Sequence, residues 1–165
     1  RLIELLRGFT DQVEVASIDE AYLDVTGSRR LFGPPRTIAC RIQEQVYAEH
    51  GLTCSIGIGT TKLLAKVAAG LNKPAGIGEL GEADVGGRLR ELPVGALHGI
   101  GPVTEEHLGE APRLMDAHAS MAQRAVGFAE EAALGGVVHV DVGEFGNMNF
   151  TSPSTFFGPG GCWKL

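Results

Sequence analysis

The sequence predicts an α+β fold, an antiparallel sheet with helices packed on one face. Three observations carry that expectation. Apolar runs rich in β-branched and aromatic residues alternate with stretches of helical spacing, in the order helix, strand, strand, helix, strand, helix over residues 1–78. Glycine, proline and asparagine punctuate the joins between them. A chain of 165 residues is also long enough to bury one good core, alone or with a small second domain.

Leu2, Ile3, Leu5, Leu6 and Phe9 fall at helical spacing and read as the end of a helix. Residues 13–18 and 21–25 read as two strands of a hairpin, with Asp19 and Glu20 at the break between them. Gly27 and the Gly33-Pro34-Pro35 run mark a loop. Thr37 is then placed to cap a helix that runs to about His50, with Ile38, Ile42 and Val46 on one face and Gly51 just beyond its end. Residues 53–58 read as a buried strand. Thr60 or Thr61 opens a helix from Lys62 to about Leu71, which Asn72-Lys73-Pro74 closes. Residues 79–87 look like a linker and 88–108 like a small helical piece; 111–134 suggest Ala-rich helices, and 137–142 a strand. The remainder of the Gly-rich tail, with Phe145, Phe150, Phe156, Phe157 and Trp163, shows no clear period.

The formal net charge is −6, an awkward balance for a chain that would bind phosphate backbones through lysine and arginine. The acidity is unevenly spread. Residues 1–78 hold nine basic and eight acidic side chains, and the rest hold five and twelve. No apolar run approaches a membrane span, and nothing resembles a leader, so a membrane partner is not expected. Cys40, Cys54 and Cys162 are odd in number and lack CxxC spacing, which fits reduced thiols and a cytoplasmic location.

Successive side chains of a straight strand point to opposite faces, so Asp19 and Glu20 can share a cation only where the backbone turns. A hairpin tip provides such a turn. A solvated acidic turn is the ordinary explanation of an Asp-Glu pair, and the apolar runs on both sides argue for more than that. Lys62 and Lys66 lie four apart on one helix and share a face, as a solvated lysine edge would, while Leu63, Leu64, Val67 and Ala68 supply the apolar side. His139, Asp141 and Glu144 are better explained by a strand with alternating polar residues than by metal ligation.

The motif SIDEAYLDVT at 17–26 and the motif IGIGTTKLLAKVAAGLNKPAGI at 56–77 are long, correctly ordered and correctly spaced. Together they resemble the palm of the Y-family translesion DNA polymerases, most closely the DinB branch. The likeness runs through residues 2–77 and more weakly to about 108. It implies a ferredoxin-like palm at 1–78, a linker at 79–87, a thumb-like helical segment with a helix-hairpin-helix at 88–134, and an unassigned tail at 135–165. It further implies synthesis of DNA past lesions, with primer-template DNA and deoxynucleoside triphosphates as partners, two Mg²⁺ ions as cofactors, and a sliding clamp bound through a segment not matched in this sequence. Carboxylates suit Mg²⁺, a hard cation that keeps oxygen ligands.

Carried over residue by residue, the resemblance makes Asp19 and Glu20 catalytic metal ligands and Lys73 a triphosphate contact. It sets Lys62, Lys66 and the hairpin glycines Gly99 and Gly101 against DNA. The family also uses a carboxylate on an N-terminal strand and a fingers region, and neither is matched in the sequence, so the isolated chain is expected to be inactive. A non-catalytic DNA-binding remnant is the alternative. A palm-like nucleotide cyclase, a third reading, is opposed by LNKPAGI and by the hairpin-like 97–104.

Overall fold

The computed structural model describes residues 1–85, 87–96, 100–108 and 136–143. Helix α1, Leu2–Arg7, drives Leu6 into the core, and Phe9 follows it. Strands β1, Val13–Val15, and β2, Glu20–Asp24, form the expected hairpin, with Val13 opposite Leu23. The N–H groups of Ala16 and Ser17 both donate to the Glu20 carbonyl, at 2.9 and 3.2 Å, which closes the tip on the acidic pair. A short helix α2, Arg29–Phe32, lies in the stretch read as loop.

Helix α3, Pro35–His50, begins two residues ahead of the expected Thr37. Pro34 is extended and Pro35 takes the first helical position, where a missing N–H costs nothing. Gly51 ends it in the left-handed conformation, φ 67°. Strand β3, Thr53–Gly59, is buried along its whole length. Helix α4, Lys62–Leu71, starts where expected, its Thr61 hydroxyl accepting from the Leu64 N–H at 3.2 Å. Strand β4, Ile77–Leu80, and helix α5, Glu82–Val85, occupy most of the stretch read as a linker. Two 3₁₀ turns, Arg88–Glu91 and Val94–Ala96, lead to helix α6, Pro102–Leu108. Strand β5, Val137–Gly143, completes the described elements, and the Ala-rich stretch 111–134 lies outside the described residues.

The α+β class holds, and the sheet runs in the order β1-β2-β5-β3-β4. Three features differ from the expectation. The tail contributes the central strand: β5 pairs antiparallel with β2 on one side and with β3 on the other. Its alternating Val138 and Val140 are too apolar to be left at an edge, and both are buried in the main core. Next, β4 runs parallel to β3, because α4 carries the chain back before β4 begins, so the sheet is mixed. Finally, the helices divide between the two faces. Ile56 and Ile58 pack with Ile38, Ile42 and Val46 of α3, whereas the alternating Gly57 and Gly59 lie under the backbone of α4. The absent Cβ atoms of those glycines let α4 lie close on the second face.

The main core gathers Leu6, Leu23, Ile38, Ile42, Ile56 and Val138 around the α3 face of the sheet. A second cluster joins Leu64, Val67 and Ala68 of α4 to Leu80, Leu89 and Val94. Cys54 is a buried free thiol, its pKa pushed up to about 12 by burial, while Cys40 is disulfide-bonded, against the expectation of reduced thiols throughout. Gln43 of α3 is buried, and its amide donates to the carbonyls of Cys54 and Ala75 at 2.9 and 2.8 Å. It thereby ties α3 to β3 and to the loop ahead of β4. Gln43→Leu keeps the volume but strands two buried acceptors, so urea unfolding should report a loss of about 3 kcal/mol. A loss within experimental scatter would show that neither carbonyl depends on that amide.

Candidate catalytic carboxylate site

The second face of the sheet, alongside α4, collects polar side chains. Glu20 and Tyr22 of β2 stand opposite Asp141 and His139 of β5, and Ser55 and Gly57 of β3 stand beyond them. Residues directly opposite on antiparallel strands have neighbouring side chains, so Glu20 and Asp141 are brought to one place by register alone. Asp19 precedes Glu20 at the hairpin tip, and its carbonyl accepts from the Val142 N–H at 2.9 Å. Backbone positions bearing three carboxylates therefore meet at one end of the β2–β5 pair.

Each carboxylate has its own counter-group. The exposed Asp19 accepts from the Ser17 hydroxyl, which together with backbone hydrogen bonding and the charges of Lys66 and Lys73 lowers its pKa. Glu20 is ion-paired with Lys66 of α4, and Asp141 with Lys73 at 2.6 Å. Burial pushes the Glu20 carboxyl up, but the hydrogen bond and charge of Lys66 outweigh it and hold the group below its ordinary value. His139 is fully buried, its ring 4.7 Å from that of Tyr22, and its Nε2 lies 3.8 Å from the Glu20 carboxylate. Among the described residues, neither of its ring nitrogens has a hydrogen-bond partner.

Oxygen donors on rigid, adjacent strands suit a hard divalent cation. Chemically the residues fit such an ion. Among the described residues, however, no three His, Cys, Asp or Glu side chains converge closely enough to hold one. The lysines and Ser17 draw the carboxylates apart, so a cation must compete with them for Glu20 and Asp141.

Acid should loosen this face of the molecule. Burial first, and then the charge of Lys66, push the His139 pKa down from 6.5 to about 4. The unfolded chain thus takes up a proton on this ring before the folded chain does, and stability falls as pH drops from about 6.5 to about 4. The Glu20 pair acts in the same direction at lower pH, since stability from a depressed carboxyl is present above its ordinary 4.5 and is lost as pH falls through the folded value. Thermal melts across this range should lose on the order of 3 kcal/mol to the histidine alone. His139→Gln should flatten the slope between pH 4 and 6.5, where the ring has its effect; an unchanged slope would place the acid sensitivity elsewhere.

The remaining expected residues fall in less central places. Lys62 pairs with Glu14 at 2.5 Å and lies 5.8 Å from the Tyr22 ring centre, beside the site but half exposed. Thr61 caps α4. Gly101 is exposed ahead of α6, and Gly99 lies outside the described residues, as does Glu144. Sequence reasoning weighed Asp141 and His139 as metal ligands and set them aside for a strand with alternating polar residues. The available signal was VVHVDV, in which valines alternate with His and Asp beside an intact acidic hairpin: a strand with two different buried faces rather than one face in water.

Residues 1–70 match the model of the impB/mucB/samB family. A DNA polymerase IV of Moorella thermoacetica is 49% identical over 110 residues, which cover 67% of this chain and 28% of that protein. The DNA polymerase IV of Bacillus anthracis is 43% identical over 110 residues, 67% of this chain and 26% of its own length. Among solved structures, DinB from Sulfolobus solfataricus superposes with a TM-score of 0.63 at 33% identity, over 79% of this chain and 40% of that one. An insertion ternary complex of Dbh DNA polymerase gives a TM-score of 0.61 at 34% identity, over 72% and 36%. The chain thus spans well under half the length of the proteins it matches. No helix among the described residues is long and apolar enough to cross a membrane. With the acidic hairpin, the lysine-bearing helix behind it and the sheet on which both sit, these likenesses make the chain similar to the Y-family DNA polymerases over about two thirds of its length.

Proposed function

We propose that this segment serves template-directed DNA synthesis past lesions, as the part of a DNA polymerase that holds Mg²⁺ and an incoming deoxynucleoside triphosphate at the primer end. The observation that carries the reading is the meeting of the backbone positions of Asp19, Glu20 and Asp141 at one end of the β2–β5 pair, with Lys66 and Lys73 paired to two of the carboxylates. When bound, Mg²⁺ would offset the charge that builds on the attacking and leaving oxygens of nucleotidyl transfer. Asp19 and Glu20 would hold the ion from the hairpin, and Asp141 from the neighbouring strand. Lys73, half exposed after α4 and paired with Asp141, would meet triphosphate oxygens. Lys62 and the exposed Gly101 are the positions open to a DNA backbone, whereas Lys66 is enclosed against Glu20 and acts on the carboxylate instead.

The 110 residues that match the Moorella thermoacetica enzyme can replace their counterparts in it, the likeness being strong enough for the join to be made. We expect that chimera to extend a primed template with Mg²⁺ and four deoxynucleotides. A folded chimera that binds primed DNA without extending it would favour the non-catalytic, DNA-binding alternative.

A further inference from the structure

Lys73 and Asp141 form an unequal pair. The Asp141 side chain is 7% exposed and the Lys73 side chain 52%. Lys73 follows the end of α4, in a loop that continues through Ala75 at φ 52° before β4. The ammonium therefore has solvent to swing into, while the carboxylate is fixed on the central strand. A buried carboxylate stripped of its counter-charge is strongly unfavourable. Lys66 and Glu20 differ from this pair, being 14% and 20% exposed, so that neither partner is free to leave alone.

From this asymmetry we infer that Lys73 is a stand-in cation: it neutralises Asp141 until a divalent ion takes the carboxylate, and the exchange releases its ammonium to phosphate. The inference rests on the metal-and-triphosphate reading above and adds a coupling that the reading does not require. Phosphate alone must pull Lys73 away and leave Asp141 unpaired. A divalent ion alone must displace Lys73 and then sit beside a second positive charge. When both arrive, each charged group changes partner and none is left bare, so either ligand favours the other, reciprocally.

Removing one member of the pair should therefore improve binding of the ligand with which that member competes. The test uses the full 165-residue chain, with Mn²⁺ binding followed by electron paramagnetic resonance and inorganic tripolyphosphate binding followed by calorimetry, each ligand alone. Lys73→Met should tighten Mn²⁺ by about fivefold or more, and Asp141→Asn should tighten metal-free tripolyphosphate by a similar factor. Arg41→Met, at an exposed position of α3 on the opposite face of the sheet, should change Mn²⁺ binding little. Circular dichroism melts establish folding. Lys73 lies half exposed in a loop, so its variant decides the question even where Asp141→Asn does not fold. Should wild type bind both ligands while Lys73→Met leaves Mn²⁺ affinity unchanged, the exchange is refuted and the metal-and-triphosphate reading stands. A chain that binds neither ligand, in wild type or variant, removes both.

Discussion

Asp19→Ala in the chimera should lower single-turnover primer extension by roughly a hundred- to a thousandfold, with affinity for primed DNA nearly unchanged. A carboxylate that helps hold a cation at developing charge acts mainly in the transition state, so its loss should appear in the rate rather than in DNA binding. Asp19 is the cleaner of the two hairpin positions to test. It is exposed, and its side-chain hydrogen bond is to its near neighbour Ser17, so the alanine variant should fold as the parent does. Glu20→Ala should lose as much rate, yet it also strands Lys66, a largely enclosed ammonium, and should cost about 3 kcal/mol of stability. Glu20→Gln keeps a hydrogen-bond acceptor for Lys66 and separates the two effects. Extension by Asp19→Ala within a few-fold of the parent would mean that the acidic pair is only a solvated turn.

The parts of the fold that local chemistry dictates were legible in the sequence. The β1–β2 hairpin follows from two β-rich runs broken by an acidic pair, and α4 from Thr61 as its cap and Asn72-Lys73-Pro74 at its end. Asp19 and Glu20 could be singled out because their motif lies within one continuous stretch. Partnership across the chain was not legible. Residues 137–142 read correctly as a strand, but nothing local says that it enters between β2 and β3, both far earlier in the chain, and so sets Asp141 against Glu20. The same limit hid the pairs of Lys66 with Glu20 and Lys73 with Asp141, each fixed by sheet register and by the placing of α4. Lysine spacing on a helix identifies a shared face but not what that face meets. Nor did helical periodicity reveal that α3 and α4 lie on opposite sides of the sheet. That division is written in the alternation of isoleucine and glycine along β3, Ile56-Gly57-Ile58-Gly59, where one face offers bulk and the other offers only backbone.

That alternation makes Gly57→Ala the most damaging small substitution expected in the fold. A Cβ at Gly57 would lie 1.8 Å from the Ala65 carbonyl oxygen and 2.5 Å from the Ala69 nitrogen. Both are backbone atoms of a helix, with no flexible end to turn aside, so α4 as a whole must lift from β3. Lifting it opens the cluster of Leu64, Val67 and Ala68 against Leu80, Leu89 and Val94. It also draws Lys66 from Glu20 and shifts the loop bearing Lys73. We expect a loss of about 4 kcal/mol or more, a large share of the ~5–15 kcal/mol that holds an ordinary domain together. Gly70→Ala, within α4, is the matched control: nothing lies within 4 Å of its added Cβ. In a helix interior alanine is favoured over glycine by about 0.5–1 kcal/mol, so that variant should be the more stable one. Urea unfolding of the two variants should therefore move in opposite directions from the parent. A Gly57→Ala protein that unfolds within about 1 kcal/mol of the parent would show that α4 does not press on β3, and with it would fall the placement of Lys66 and Lys73 against the carboxylates.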